Sequence, residues 1–461
     1  MTGTEEKTDT TTRRTAEFDH HSPDLKNQVG DLGVGPILGK ERASCPFGWT
    51  EAHGGYWFAT GYKELKRVAT DDRTFTSGRR TTVEELDSNG VGIPTLPAQF
   101  GFLEMDGQDH QVVRRALMPW LASEAVARWR PVIKDLTNAF LDEVIEKGEC
   151  DFLEDIASPI PAVLTMMLMG APLRKWKPWA EAQHQQMATL PDTPERARAE
   201  QLVGEHVQDL IEMIAERRAT PPENGPRDLL DVLCHQEIDG RLLSDNEILI
   251  HCILLIGGGV DTTTSLMGSA VRWLAQHPEK RDELRDDPNL MKTAIEEFLR
   301  VFAPVTGLAR TAACPVQVGD QQVAEGDRIY LAYAAANFDP EVFDDAETVK
   351  LDRWPNKHTT FGLGKHRCIG LHVAREVINT VLTEVLTRMP DFTMDADAIE
   401  MYPDLAVNQG WVTLPIKFTP GPRVGSEFKP ADAAQTKVSE VAAAEATHVA
   451  AEIEHRTDEA L

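Results

Sequence analysis

Basic charge is scarce in this sequence. Its 461 residues carry 47 lysines and arginines against 74 aspartates and glutamates, a formal net charge of -27 at pH 7. Phosphate backbones and anionic lipid surfaces repel such a chain, so nucleic acid and membrane are excluded as partners. An acidic protein partner would need a local basic patch. Cysteine is also sparse. The six residues, Cys45, Cys150, Cys234, Cys252, Cys314 and Cys368, are scattered and form no CxxC pair. This excludes a disulfide scaffold and fits reduced thiols in a cytosol. Long apolar runs are missing too. The most apolar stretch, 248–260, is too short to span a bilayer and contains His251. The opening MTGTEEKTDTTTRRTAEFDHH lacks the apolar core of a signal peptide. The chain is therefore expected to be soluble, cytoplasmic and monomeric.

What is present is an ordinary globular composition, 41% hydrophobic and 26% charged, enough for a large core. Residues 1–23 are rich in Thr, Glu and Asp and are expected to be a disordered tail. Residues 423–461 are rich in Ala and Glu and are expected to form a second such tail. The body, 24–422, shows no internal repeat. Apolar residues recur at helical spacing over 124–147, 196–218 and 245–276, and strand-like pieces occur at 55–59, 316–318, 328–331 and 413–418. The expected class is mainly α, with small β-sheets.

Four patterns carry chemistry. In FGLGKHRCIG, residues 361–370, a glycine-rich loop delivers one cysteine to the amphipathic segment LHVAREVINTVLTEVL. At a helix N-terminus, backbone N–H groups and the helix dipole are expected to lower a thiol's pKa, and a thiolate there can ligate a metal axially. Gly362 and Gly364 let the backbone approach a flat ligand. An isolated cysteine is more often a buried structural residue, so the argument rests on the whole ten-residue frame. Glu297 and Arg300 form an i,i+3 pair, a common surface feature when alone. In LLIGGGVDTTTS, the poor helix formers Gly257, Gly258, Gly259, Asp261 and Thr262 interrupt a long apolar helix. Such a local conflict marks a functional site, and the Thr262 hydroxyl can bond back to the helix. Finally, His110 and Arg114 share a helix face.

Phe361, Gly364, Cys368 and Gly370 stand in the register FxxGxxxCxG, and the segment resembles the haem-binding signature of cytochromes P-450. The other patterns follow in that family's order. The resemblance implies a triangular, helix-rich prism with small β-sheets and the haem between two helices. It implies haem b (iron protoporphyrin IX) with Cys368 as the axial ligand of the iron. It places His110, Arg114, Arg310 and His366 on the propionates, and joins Glu297, Arg300 and Arg353 in a structural network. Gly258 would leave room for dioxygen, and Asp261 and Thr262 would be the acid–alcohol pair that relays protons. The extra Gly257 departs from the usual glycine pair.

The implied activity is a monooxygenase that inserts one oxygen atom of dioxygen into a hydrophobic small molecule such as a terpenoid, steroid or fatty acid. The chain carries no flavin or iron–sulfur module, so electrons would come from a separate ferredoxin and its reductase, docking on Arg115, Lys365 and Arg367. The resemblance draws the substrate pocket from residues 88–102, the helices flanking Pro191, 303–308 and 407–412. Its candidate lining is Ile93, Leu96, Phe100, Gly258, Val305, Leu308 and Trp411. Two alternatives remain: a haem-thiolate peroxygenase or nitric oxide reductase, against which Asp261 and Thr262 speak, and a haem-binding sensor without turnover. His20–His21, in the expected tail, and His251–Cys252, in the expected core, are assigned no second metal.

Overall fold

The computed structural model describes residues 13–79, 90–95, 99–190, 192–223, 225–238 and 240–430. Helices of seven residues or more are α1 (Tyr62–Thr70), α2 (Gly107–Leu117), α3 (Ser123–Val144), α4 (Pro159–Met169), α5 (Trp176–Ala188), α6 (Pro194–Ala219), α7 (Leu229–His235), α8 (Asp245–Gln276), α9 (Pro278–Asp286), α10 (Met291–Val301) and α11 (Leu371–Arg388).

The longest, α8, begins where Ser244 and Glu247 cap each other reciprocally. By length and composition it could cross a membrane, but here it runs through the core. Ile248, Val260, Leu266, Met267, Ala270 and Val271 are all buried. Its interior glycines and threonines do not break it, because tertiary packing outweighs local propensity. In α11, Val377, Ile378, Val381, Leu382, Val385 and Leu386 form one buried stripe, which packs on α3 and α8.

A five-stranded sheet flanks the helices in the order β1 (Phe47–Thr50), β2 (Tyr56–Ala59), β8 (Arg328–Leu331), β5 (Leu308–Ala312), β3 (Phe75–Thr76). Strand β2 pairs with β8 in parallel, and the other pairs are antiparallel. The remaining strands form small antiparallel sheets. They are β4 (Glu149–Asp151), β6 (Val316–Val318), β7 (Gln321–Val323), β9 (Thr393–Met394), β10 (Glu400–Met401), β11 (Trp411–Thr413) and β12 (Pro415–Lys417). The strand read over 413–418 is in fact two, because β11 pairs with β10 and β12 lies between β4 and β9.

The expected tail boundaries are too generous at both ends. Thr15 bridges to Trp49, Phe18 stacks on Phe58 with 4.4 Å between ring centroids, and His20 is 2% exposed. The His20 ring bonds the Tyr56 hydroxyl and accepts burial at the expense of its charge: desolvation pushes its pKa down to about 3. His20–His21 thus belongs to packed structure rather than to a loose tail. At the other end Phe428 is buried against Phe140. Residues 1–12 and 431–461 lie outside the described residues.

Candidate functional site

A cavity of about 280 Å³ opens between α8 and the loop that leads into α11. Leu254, Leu255, Gly258, Gly259, Thr262 and Leu266 of α8 form one wall. Phe361, Gly362, Cys368, Ile369 and Gly370 form the facing one, continued by Val373 and Ala374 of α11. Cys368 lies deep in the molecule, yet its thiol is exposed because it opens into this cavity.

The loop's shape follows from two close approaches. Gly364 has φ +70°, and a Cβ there would sit 2.7 Å from the Ala69 carbonyl oxygen. The Cys368 N–H donates to the Phe361 carbonyl at 2.7 Å, which closes the turn. The thiol's pKa runs opposite to the expectation. Burial raises it, and the Gly370 backbone together with Arg114, Arg375 and Arg367 offsets only part of that rise. Coordination to a metal cation removes the proton that this site otherwise retains.

On the facing helix, the Thr262 hydroxyl donates back to the Gly258 carbonyl at 2.8 Å while opening to the cavity. A Cβ on Gly258 would meet no atom within 4 Å, so the space beside it is cavity. Asp261 points elsewhere. It is 4% exposed and accepts hydrogen bonds from the Tyr402 hydroxyl at 2.6 Å and the Asn408 amide at 3.2 Å. Burial raises its pKa against the pull of His184, Tyr402 and Asn408. The acid and the alcohol are neighbours on one helix but face different surroundings.

Five basic residues line the cavity, His110, Arg114, Arg310, His366 and Arg367. His110 and Arg114 project from the same face of α2. Arg310 follows Leu308 on one face of β5, by the two-residue period of a strand, and both reach the cavity. His366 precedes Cys368 and its ring lies 4.2 Å from that of His110. His110 Nε2 and His366 Nδ1 are buried without a partner. Burial, His366 and Arg114 push the His110 pKa down to about 4. His366 is lowered by burial, although its contact with Asp106 at 3.3 Å works the other way. Orphaned imidazole nitrogens beside two guanidinium groups suit the carboxylates of a bound ligand.

Behind the cysteine loop, Glu297 and Arg300 are fully buried and joined by two hydrogen bonds of 2.8 Å. Arg353 adds two more to Glu297, at 2.9 and 3.1 Å, with Asn356 at 3.0 Å and the Lys350 N–H at 2.9 Å. Burial alone would raise the Glu297 pKa, but Arg300, the Lys350 N–H and Arg353 hold it below the usual range. Arg300 also donates to the carbonyls of Asn337 and Ala346, which ties α10 to the chain approaching the loop.

The chain matches the cytochrome P450 family model over residues 58–401. It belongs to that family. Among curated relatives, the steroid C26-monooxygenase of Mycolicibacterium smegmatis is 32% identical, covering 73% of this chain and 84% of that protein. Cytochrome P450 107B1 of Saccharopolyspora erythraea is 30% identical, covering 74% and 83%. Among solved structures, the Mycobacterium marinum cytochrome P450 CYP268A2 in complex with pseudoionone has a TM-score of 0.78 at 25% identity, covering 88% of this chain and all of that one. P450BioI in complex with hexadec-9Z-enoic acid ligated acyl carrier protein has a TM-score of 0.74, also at 25% identity, covering 86% and 100%. The chain is a monooxygenase, an oxidoreductase of a family that uses haem, dioxygen and hydrophobic substrates. The residues fit that cofactor, with a thiol opening into an apolar slot, an open space at Gly258, and orphaned imidazole nitrogens beside the Arg114 and Arg310 guanidinium groups for carboxylates.

Several expected pocket residues are not part of this cavity. Val305, Leu308 and Gly258 line it, but Ile93, Phe100 and Trp411 do not. Ile93 is 7% exposed and packs with Phe18 and Tyr56 under the sheet. The Phe100 N–H is held by Glu104 at 2.9 Å. Trp411 donates to the Ser269 hydroxyl at 3.0 Å, on another side of α8. Leu96 lies outside the described residues. Among the described residues, α5, α6 and 407–412 contribute nothing to the lining, and α4 supplies Pro161, Leu164, Thr165 and Leu168 instead. The expected basic patch is reduced, because Lys365 pairs with Asp72 at 2.7 Å and Arg367 lines the cavity, while Arg115 is exposed. Tyr402, Asn408 and His184 around Asp261 were not legible as site residues, since 141 to 218 positions separate the partners of these hydrogen bonds and no motif joins them.

Proposed function

We propose that this monooxygenase hydroxylates a terpenoid, steroid or fatty acid, using haem b and electrons from a separate ferredoxin and reductase. One observation carries the reading: the Cys368 thiol opens into an apolar cavity directly facing the Gly258–Thr262 segment of α8. Cys368 would ligate the iron, and His110, Arg114, Arg310 and His366 would hold the propionates. When bound, the haem supplies a redox-active iron at which dioxygen is reduced and one oxygen atom is transferred. The chain's own residues do the rest. Leu254, Leu255, Val305 and Leu308 present an apolar surface that favours a hydrophobic substrate and excludes water. Burial raises the Asp261 pKa within the core, and Thr262 offers a hydroxyl at the cavity wall.

The steroid-oxidising relatives, and the structures holding pseudoionone and a fatty acyl chain, support these substrate classes. The acid–alcohol pair supports dioxygen rather than peroxide as the oxidant. Arg115, Lys365 and Arg367 would form the docking patch of a protein that works as a cytoplasmic monomer. The test is a panel of a steroid, a terpenoid and a fatty acid, scored first by the substrate-induced shift of the haem absorption and then by product mass. Addition of one oxygen atom to a member of the panel is the expected result. No shift and no product with any of them would overturn the substrate reading.

A further inference from the structure

Asp261 does not end in isolation. Its Oδ1 accepts from the Tyr402 hydroxyl at 2.6 Å, and the same hydroxyl lies 3.2 Å from Nδ1 of His184 on α5. Nε2 of His184 is 3.2 Å from the Val412 carbonyl, an acceptor only, so that nitrogen carries a hydrogen and donates. Nδ1 is thereby left as the position that gains or loses a proton. Tyr402 is 1% exposed and Asp261 4%, whereas 19% of the His184 side chain remains accessible. A graded line thus runs from solvent through an imidazole and a phenol to a buried carboxyl.

The line is built into the packing. The Tyr402 N–H donates to the Gly410 carbonyl at 3.0 Å, which fixes the tyrosine across the β10–β11 hairpin. A Cβ on Gly410 would fall 2.4 Å from the Tyr402 ring and 2.5 Å from the Ser265 hydroxyl, so glycine there lets the ring close on α8. Asn408 holds the second carboxyl oxygen at 3.2 Å. Among the described residues, the titratable groups facing Asp261 are His184 from α5 and Tyr402 from the hairpin.

We propose that His184 and Tyr402 form a proton wire that recharges Asp261 from solvent. The transfer balances. An imidazolium at His184 gives its Nδ1 proton to the Tyr402 oxygen as the Tyr402 hydroxyl proton moves to Asp261 Oδ1. The products are a neutral imidazole, an intact phenol and a carboxylic acid one residue from Thr262. Once Asp261 has passed its proton on, the Tyr402 hydroxyl turns back toward Asp261 and frees Nδ1, and a proton that re-enters at the partly accessible His184 ring resets the wire. His184 and Tyr402 act through Asp261, so they are positioning residues. The inference rests on the haem-monooxygenase reading, but its first test does not.

That test is an infrared titration of the full-length resting protein, with the protonated Asp261 carboxyl band assigned by Asp261→Asn. The wire predicts that the band titrates in steps shared with His184, and that Tyr402→Phe and His184→Gln each collapse it to a single independent step. The second test uses a plant ferredoxin and its reductase as surrogate donors. Both variants should lower the ratio of donor-driven to peroxide-driven turnover by about tenfold or more, because peroxide brings its own protons. The solvent deuterium isotope effect on donor-driven oxygen consumption should change with it. A band that ignores both substitutions, with an unchanged ratio and isotope effect, overturns the wire. Equal loss of donor-driven and peroxide-driven turnover assigns these residues a structural role and also overturns it. Failure of the wild-type protein to give a thiolate-type carbon monoxide spectrum would instead sink the haem reading, and the infrared titration would still decide the wire.

Discussion

Phe361, Gly364 and Gly370 lie close to Cys368 in the chain, which is why the loop is readable in the sequence, although its shape also depends on the distant Ala69. Gly364 shows how tight the requirement is. With φ +70° and the Ala69 carbonyl 2.7 Å from a would-be Cβ, Gly364→Ala should cost about 1–3 kcal/mol and lower haem content. Thermal unfolding and haem quantification would detect this, and a variant that matches wild type in both would refute it. A pH effect belongs to the neighbouring Glu296. Burial would raise its pKa, but bonds from Arg375 and His358 bring it to about 2, against an ordinary 4.5. A depressed carboxyl stabilises the fold above its unfolded pKa and loses that contribution as pH falls through the folded one. The stability difference between wild type and Glu296→Gln should therefore be constant above about pH 4.5 and shrink toward about pH 2. A gap that widens on acidification would contradict the assignment. The misplaced residues are as informative. Ile93 and Trp411 are apolar and buried as expected, but burial does not reveal which cavity or core a side chain faces. The thiol's pKa was misread because the sequence shows the helix terminus and hides the depth of burial.

Among the elements, long helices with a regular apolar stripe were the most legible. The reading of 245–276 coincides with α8, and 196–218 falls within α6. The stretch 413–418 failed because strand partners are set by distant residues, and neither β4 nor β10 is visible from that segment. The link between α10 and the loop before Cys368 is the element-scale feature with the most at stake. Arg300→Ala would leave Glu297 charged and fully buried with fewer partners. Removing one member of a buried pair costs about 3–5 kcal/mol. Calorimetry should show that loss as a lower melting temperature, with haem released earlier. An unchanged melting temperature would mean the network does not hold the two elements together.

For the whole molecule, the net charge of -27 stands against the acidic ferredoxin proposed as electron donor. A local basic face must overcome the global field at short range, and salt screens both. Arg115→Glu, at an exposed position, should slow ferredoxin-driven reduction severalfold at low ionic strength while leaving chemical reduction by dithionite unchanged. Equal rates in wild type and variant, measured by stopped flow, would remove Arg115 from the patch. The central claim stands or falls on the thiol itself. The purified protein should be reduced, exposed to carbon monoxide and its absorption recorded beside Cys368→Ala. A strongly red-shifted Soret band in the wild type, absent from the variant, is the predicted result. A band of the histidine-ligated type, or the same band in both proteins, would contradict Cys368 as the haem ligand.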